Sequence, residues 1–166
     1  MTTFTTYYLE MHSPHQLNAK ILPDSLNIVE CEQPQYELNR FLYQLVGDSW
    51  DWGDLDTYTN EQWQARVEDK ALRTWVAYYR GSIAGYYELY QPDNKHTEIK
   101  YFGLSKENIG KGFGGALLSQ AIISAWEWPG TKRVWVHTCT LDHPNALKNY
   151  LSRGMEIYKQ ETAQLD

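Results

Sequence analysis

Cysteine, long apolar runs and positive charge are all scarce in this chain of 166 residues. The two cysteines, Cys31 and Cys139, are too few for a disulfide framework and lack the spacing of a metal site. No apolar run approaches the roughly 20 residues that cross a bilayer. With 21 acidic and 15 basic residues, the formal net charge is −6, which disfavours nucleic acid and anionic membranes as partners. We therefore expect no metal, nucleic acid or membrane partner.

Internal repeats, low-complexity segments and Gly/Ser-rich linkers are also missing. A chain of this length usually forms one domain, so we expect residues 1–166 to fold as a single unit. Residues 1–6 lack the charged and apolar regions of a signal peptide, which favours a cytoplasmic protein with reduced thiols. Aromatic residues, in contrast, are abundant at 14% of the chain. Many must fill the core, and some can line a recognition surface.

Hydrophobic spacing predicts four helices and six strands. One helix opens at Pro34 and ends at Gly47, and a second begins at Thr59 with Gln62 completing a capping box. A third follows a glycine-rich turn, and a fourth has Pro144 at its first position. Strands are predicted at residues 7–11, 74–79, 82–89, 97–104, 133–138 and 155–162. The order β-αα-βββ-α-β-α-β predicts an α/β fold (mixed α+β) with a central mixed, mostly antiparallel sheet flanked by helices.

The segment 109–115 carries four glycines in six positions, directly after a predicted strand and before an apolar helical pattern. Glycine allows a ligand to approach main-chain N–H groups, and a helix N-terminus favours bound phosphate. An ATP-type P-loop is absent. Gly110, Gly112 and Gly115 fit a dinucleotide fingerprint literally, but no suitably placed acidic residue follows for the ribose. The turn therefore predicts a phosphorylated cofactor other than a dinucleotide.

Three segments together resemble the GNAT superfamily of N-acetyltransferases: residues 98–104, the glycine turn, and the spacing Ala146…Tyr150…Gly154-Met155. The matching element order spans residues 7–160. The resemblance implies a GNAT-like fold and an enzyme that uses acetyl-coenzyme A as co-substrate. It also implies a set of cofactor-binding residues: Phe102, Gly103, Leu104, Ile109, Gly110, Lys111, Gly112, Phe113, Gly114, Gly115 and Asn145.

The resemblance further implies two catalytic residues. Glu98 matches the position of a glutamate that removes a proton from the acceptor amine, usually through water; amine attack requires that deprotonation. Glu98 could instead be a solvated strand residue paired with Lys100, and Glu88 is an alternative base. Tyr150 matches a tyrosine that protonates the departing thiolate, although a helix tyrosine is also often a core residue.

The sequence departs from the family at two places. Ile109 stands where the family has Gln or Arg, and Lys111 is expected to supply the missing positive charge. A common family Asn is replaced within residues 142–145, where Asn145 or His143 could make the contact. His137 is expected to be a packed histidine rather than a second base.

The segment 47–56, between the first two predicted helices, contains four Asp and two Trp. Trp50, Asp51 and Trp52 could bind a cationic amine through carboxylate pairing and cation–π contact. Alternatively, the aspartates cap helices and keep the loop solvated, and the tryptophans anchor the loop on the core.

The sequence thus predicts transfer of an acetyl group to a primary amine by direct attack on the thioester, with a small cationic amine favoured as acceptor. A peptide amine, at a protein N-terminus or lysine, is an alternative acceptor. A non-catalytic acyl-CoA sensor is the alternative function. Homodimers are frequent in the resembled family, so a homodimer is possible.

Overall fold

The computed structural model describes residues 2–50 and 52–165 and contains one seven-stranded sheet with four α-helices. The strands are β1 (Thr2–Met11), β2 (Leu26–Glu30), β3 (Leu72–Tyr79), β4 (Ser82–Tyr90), β5 (His96–Leu104), β6 (Arg133–Cys139) and β7 (Glu156–Leu165). The helices are α1 (Tyr36–Gly47), α2 (Asn60–Glu68), α3 (Phe113–Glu127) and α4 (Ala146–Ser152). Among these described residues, no helix is long and apolar enough to cross a membrane.

The strand order is β2-β3-β4-β5-β6-β1-β7, and every neighbouring pair is antiparallel except β5 and β6. Successive side chains of a strand point to opposite faces, as Tyr86 and Tyr87 of β4 show. Tyr86 packs with Leu42 and Val46 of α1, whereas Tyr87 joins the larger core formed with α3 and α4. Helices therefore cover both faces, and the predicted fold class, a mixed and mostly antiparallel sheet flanked by helices, is confirmed.

Several local features have short-range signals, and the predicted capping box of α2 is confirmed. Arg80 and Gly81 link β3 to β4, and both have positive φ (52° and 83°), as a two-residue hairpin turn of type I′ requires. Thr59 caps α2, and its hydroxyl and the Gln62 side chain form the reciprocal capping box. Gly154 follows α4 with φ of 105°, a value that favours glycine.

Three predictions of element bounds were wrong. Strand β2 was missed altogether. Strand β1 starts at Thr2 rather than at residue 7, because residues 2–6 continue its pairing with β7. Pro144 is not the first residue of α4: it lies in a turn closed by the Ala146 amide donating to the His143 carbonyl, and Asn145 is the N-cap.

The parallel pair β5–β6 positions the site. Its ladder joins only three residue pairs, the last being Glu98 opposite Trp135. Beyond that point β5 continues to Leu104 beside β4, while β6 continues beside β1. The two strands therefore part in the middle of the sheet and leave one edge of β5 open.

Candidate active site

A cleft of about 940 Å³ opens where β5 and β6 part. Its walls come from β5, the glycine turn, the end of β6, α4 and the segment after α1. The predicted site residues that line it are Trp50, Trp52, Phe102, Gly103, Leu104, Ile109, Gly110, Gly112, Phe113, Gly114, Gly115, Asn145 and Tyr150. The structure thus brings most of the predicted residues to one cavity. Asp51 lies outside the described residues.

The glycine turn ends at the N-terminus of α3. Gly110 and Gly112 have φ of 87° and 82°, and Gly112 is the N-cap of the helix. A Cβ at either position would meet nothing within 4 Å, so the backbone angle, rather than space, favours glycine there. The amides of the first helical turn have no partner within the helix. They lie at one end of the cleft and fit a phosphate group.

Lys111 is the exception within the turn. It is not among the residues that line the cleft, and its ammonium donates to the Glu107 carbonyl at 3.0 Å. The side chain that was expected to replace the charge missing at Ile109 therefore lies away from the cavity.

Glu98 is 5% exposed, at the point where β5 leaves β6. Its carboxylate lies 3.6 Å from Lys100 Nζ and 3.8 Å from His137 Nε2. Burial raises the pKa of the Glu98 carboxyl, and the charges of Lys100 and His137 oppose that rise. The expected contact with Lys100 exists, but the residue is buried rather than solvated.

The prediction that His137 is a packed histidine was wrong. Its side chain is 50% exposed and lines the cleft. In β6 the buried residues are Val134, Val136 and Thr138, so alternation places His137 on the opposite side of the strand. His137 therefore stands between the cavity and Glu98.

Glu88, the alternative base, is occupied by other groups. It is 1% exposed and accepts two hydrogen bonds from Arg66, at 2.5 and 3.2 Å. The Asn39 side chain donates to it as well, at 2.7 Å. A fully buried carboxylate held in this way contributes to packing between α1, α2 and the sheet and has no free access to a substrate.

Tyr150 is a residue of the core and of the cleft at once. It is 6% exposed, its ring centroid lies 6.2 Å from that of Phe102, and it lines the cavity. Burial, and secondarily the charge of Asp142, raise the pKa of the Tyr150 phenol. The phenol is therefore protonated at neutral pH, as a proton donor must be.

The segment after α1 crosses to the far side of the cleft. The Trp52 indole donates to Asp142 at 3.1 Å, and the rings of Trp50 and His143 are 4.7 Å apart. Trp52 also packs so closely on Gly47 that a Cβ there would lie 2.6 Å from its ring. Trp52 thus anchors the loop on the core, as one of the two alternatives holds, and it also lines the cavity.

Several residues at the cleft were missed by sequence reasoning. Asp142 accepts hydrogen bonds from Trp52, from the Thr138 hydroxyl and from the Cys139 amide. Asn149 donates to the Gly114 carbonyl at 3.1 Å and so ties α4 to the first turn of α3. Lys20 and Arg153 also line the cavity. Only Asn149 and Arg153 carried a signal, since they belong to the helix that contains Tyr150. Within the described part of the chain, no group of three or more His, Cys, Asp or Glu side chains could hold a metal ion.

Solved structures with a similar fold are mostly longer proteins. The chain matches a GCN5-related N-acetyltransferase from Kribbella flavida with a TM-score of 0.67 and 16% identity, covering 95% of this chain and 56% of that one. A GCN5-related N-acetyltransferase from Sphaerobacter thermophilus gives a TM-score of 0.68 at 14% identity, with 96% and 50% covered. The chain thus spans about half the length of these two proteins.

A third structure is closer to this chain in length. It is an aminoglycoside acetyltransferase from an uncultured soil metagenomic sample, with a TM-score of 0.61 and 20% identity, covering 78% of this chain and 88% of that one. At these identities the similarity establishes the fold. A comparison with curated proteins finds no significant match.

The family assignment comes from the sequence itself. The family model described as "Acetyltransferase (GNAT) family" matches residues 35–155, which include β5, the glycine turn, α3 and α4. The match covers well over half of the chain and confirms the resemblance drawn from the motifs. The chain belongs to the acetyltransferase (GNAT) family.

Proposed function

We propose that the chain is an N-acetyltransferase that moves the acetyl group of acetyl-coenzyme A to a primary amine. The observation that carries this proposal is the cleft between β5 and β6, which joins an open strand edge to a phosphate-binding helix terminus. Family membership supports the same reaction class.

The donor would lie along β5. The edge of residues 99–104 is not paired with β6 in the described structure, so its main-chain groups are available to the amides of a pantetheine arm. The pyrophosphate would then lie at the glycine turn, against the amides of Phe113 to Gly115. This arrangement directs the thioester toward the middle of the sheet, where Tyr150 lies.

Proton removal is assigned to Glu98, with His137 as the group at the cavity surface. An imidazole can accept a proton at one nitrogen and donate at the other, so His137 or a water beside it can pass the amine proton toward the carboxylate. The raised pKa of Glu98 makes it a stronger base than an ordinary carboxylate. The deprotonated amine then forms the new C–N bond as the C–S bond breaks.

Tyr150 would supply the other proton. As the C–S bond breaks, its phenol donates to the departing thiolate, and the second proton that the nitrogen loses on becoming an amide returns to the resulting phenolate. A phenol is protonated at neutral pH even without a shift, and burial, with a smaller contribution from the charge of Asp142, raises the pKa of Tyr150 further. The base and the acid come from different elements, β5 and α4, on the two sides of the parted strands.

A small cationic amine is the favoured acceptor. The rings of Trp52 and Tyr101 lie 5.0 Å apart at the cavity, and the Tyr101 hydroxyl donates to Asp54. Aromatic faces and carboxylates both attract an ammonium group. The net charge of −6 adds a general attraction for cations. Trp50 and Asp51 remain candidate contacts at the same loop.

We also propose that residues 1–166 act as one domain, because the sheet links β1 and β7, from opposite ends of the chain, as neighbours. A cytoplasmic location would provide acetyl-coenzyme A and is compatible with the free thiols of Cys31 and Cys139. A homodimer remains a prediction that measurement of the mass in solution tests.

The proposal is tested by an acceptor screen with acetyl-coenzyme A and detection of released thiol. The panel contains polyamines, aminoglycosides and other amino sugars, amino acids and basic peptides. Thiol release with a small cationic amine, and its loss in Glu98→Gln and Tyr150→Phe, is the expected result. Preference for a peptide would instead assign a protein amine as acceptor. Tight binding of acetyl-coenzyme A without release for any amine would refute the enzyme and favour the sensor.

A further inference from the structure

Arg153 is a buried cation for which the described residues provide no side-chain partner. It is 6% exposed at the C-terminal end of α4, and its Nε and Nη1 atoms make no hydrogen bond to any described residue. Burying an uncompensated guanidinium costs free energy, so such groups are normally paired with an anion. The side chain lines the cleft, which is where an anionic ligand would reach it.

The guanidinium lies beside the first turn of α3. A Cβ at Gly115 would lie 3.2 Å from Arg153 Nη1 and 2.7 Å from Lys20 Cδ. The missing side chain at Gly115 therefore leaves room for two cations next to the unpaired amides of the helix terminus. The sequence brings them from distant positions, one before β2 and one at the end of α4.

Backbone contacts hold both cations in this place. The Lys20 amide donates to the Ser119 hydroxyl at 2.9 Å, and the Asn18 amide donates to the Arg153 carbonyl at 2.8 Å. Gly154 permits this approach, since a Cβ there would overlap the Gln16 carbonyl oxygen. The segment 16–20 is thus fixed across α3 and α4.

The cleft is lined by charged residues of both signs. Lys20, Lys100, Lys148 and Arg153 line the cavity, and Asp54 and Asp142 are its described acidic residues. Both acidic residues are tied to the acceptor side, Asp54 through Tyr101 and Asp142 through Trp52. Lys20 and Arg153 lie at the α3 end, where they favour an anionic group.

We propose that Arg153 and Lys20 bind a phosphate group of the donor, beside the amides of the glycine turn. This inference rests on the proposed function, in which acetyl-coenzyme A occupies the cleft. Arg153 and Lys20 supply positive charge at the glycine turn. Ile109 has no charge there, and the Lys111 ammonium lies away from the cavity. The donor offers two such groups, the pyrophosphate and the 3′-phosphate, and both have the oxygens that a guanidinium binds in bidentate fashion.

The test measures binding by calorimetry for the wild type, Arg153→Met, Lys20→Met and a control, Lys132→Met. Met fills a similar volume without charge, and Lys132 is exposed and outside the cleft. Affinity for acetyl-coenzyme A should fall roughly 10-fold or more in Arg153→Met, as expected for a lost charge-assisted hydrogen bond. A smaller loss is expected in Lys20→Met and none in Lys132→Met. Acetyl-pantetheine, which has no phosphate, should bind all four proteins equally.

Dephospho-coenzyme A, which lacks the 3′-phosphate, distinguishes the two phosphate groups. A loss that persists with this ligand assigns the pyrophosphate, and a loss that disappears assigns the 3′-phosphate. Unchanged affinity of Arg153→Met for acetyl-coenzyme A overturns the inference. An equal loss for acetyl-pantetheine also overturns it, because the effect would then be structural. If Arg153→Met does not fold, Lys20→Met provides the same comparison, because Lys20 is exposed and its replacement is better tolerated.

Failure of the proposed function is recognised separately. If the wild type does not bind acetyl-coenzyme A, inorganic pyrophosphate becomes the probe, read by the shift in melting temperature. If pyrophosphate shifts the melting temperature of the wild type but not of Arg153→Met, the anion site is supported and the acetyltransferase function is not. No shift in the wild type overturns both.

Discussion

Tyr150→Phe is the most informative single substitution at the proposed reaction centre. The change removes one oxygen from a side chain that is 6% exposed and leaves its ring against Phe102 in place. Because the site is buried, bulk water is poorly placed to replace the phenol as proton donor. A positioned general acid contributes about 100- to 10,000-fold, which equals about 2.7 to 5.4 kcal/mol of barrier at 1.36 kcal/mol per factor of ten.

We therefore expect kcat to fall roughly 100-fold or more, with little change in KM for either substrate. The assay follows thiol release at saturating acetyl-coenzyme A. Tyr87→Phe is the matched control, since Tyr87 is also buried but its hydroxyl contacts Ser124 and lies outside the cleft. A kcat within about threefold of the wild type for Tyr150→Phe, with the fold intact, would refute the assignment of the proton donor.

Three further predictions concern the base, the backbone and the core. Wild-type kcat/KM should rise with pH through the raised pKa of Glu98, because only the deprotonated carboxylate accepts a proton. Glu98→Gln should lose most of the activity, and its pH–rate profile should lose that rise. Gly154→Ala should lower the free energy of unfolding by about 2 kcal/mol or more, because φ is 105° and the new Cβ would overlap the Gln16 carbonyl. Denaturant titration measures this loss, and an unchanged midpoint would contradict it. Tyr86→Phe should raise the melting temperature, with a gain of about 1 kcal/mol, because the buried Tyr86 hydroxyl has no described partner; a loss of stability would show that it is satisfied.

The sequence predicted the elements whose signals are local. The stripe Leu117, Leu118, Ala121, Ile122 and Ala125 is buried along α3 as its helical spacing requires. Strand β2 was missed because its five residues alternate weakly and it lies at the sheet edge, where only one neighbour supports it. Its structure depends on pairing with β3, a long-range contact that no local pattern records.

The residues of the site also divide into those with a local sequence signal and those that depend on long-range packing. The glycine turn was predictable because strand, turn and helix are contiguous in the chain. His137 was predictable in principle from the alternation around Val134 and Val136, although it was assigned to the core. The proximity of Arg153 and Lys20 was not predictable, since it depends on how the segment 16–20 packs across α3 and α4.

We propose that the cleft between β5 and β6 transfers an acetyl group from acetyl-coenzyme A to an amine. The most direct test of this proposal is mass spectrometry of the acceptor after incubation with acetyl-coenzyme A, run in parallel with thiol release. The wild type should form an N-acetylated amine in equal amount to the released thiol, and Glu98→Gln and Tyr150→Phe should form strongly reduced amounts. Equal product from the wild type and the double variant Glu98→Gln/Tyr150→Phe, or none from the wild type with any amine, would contradict the proposal.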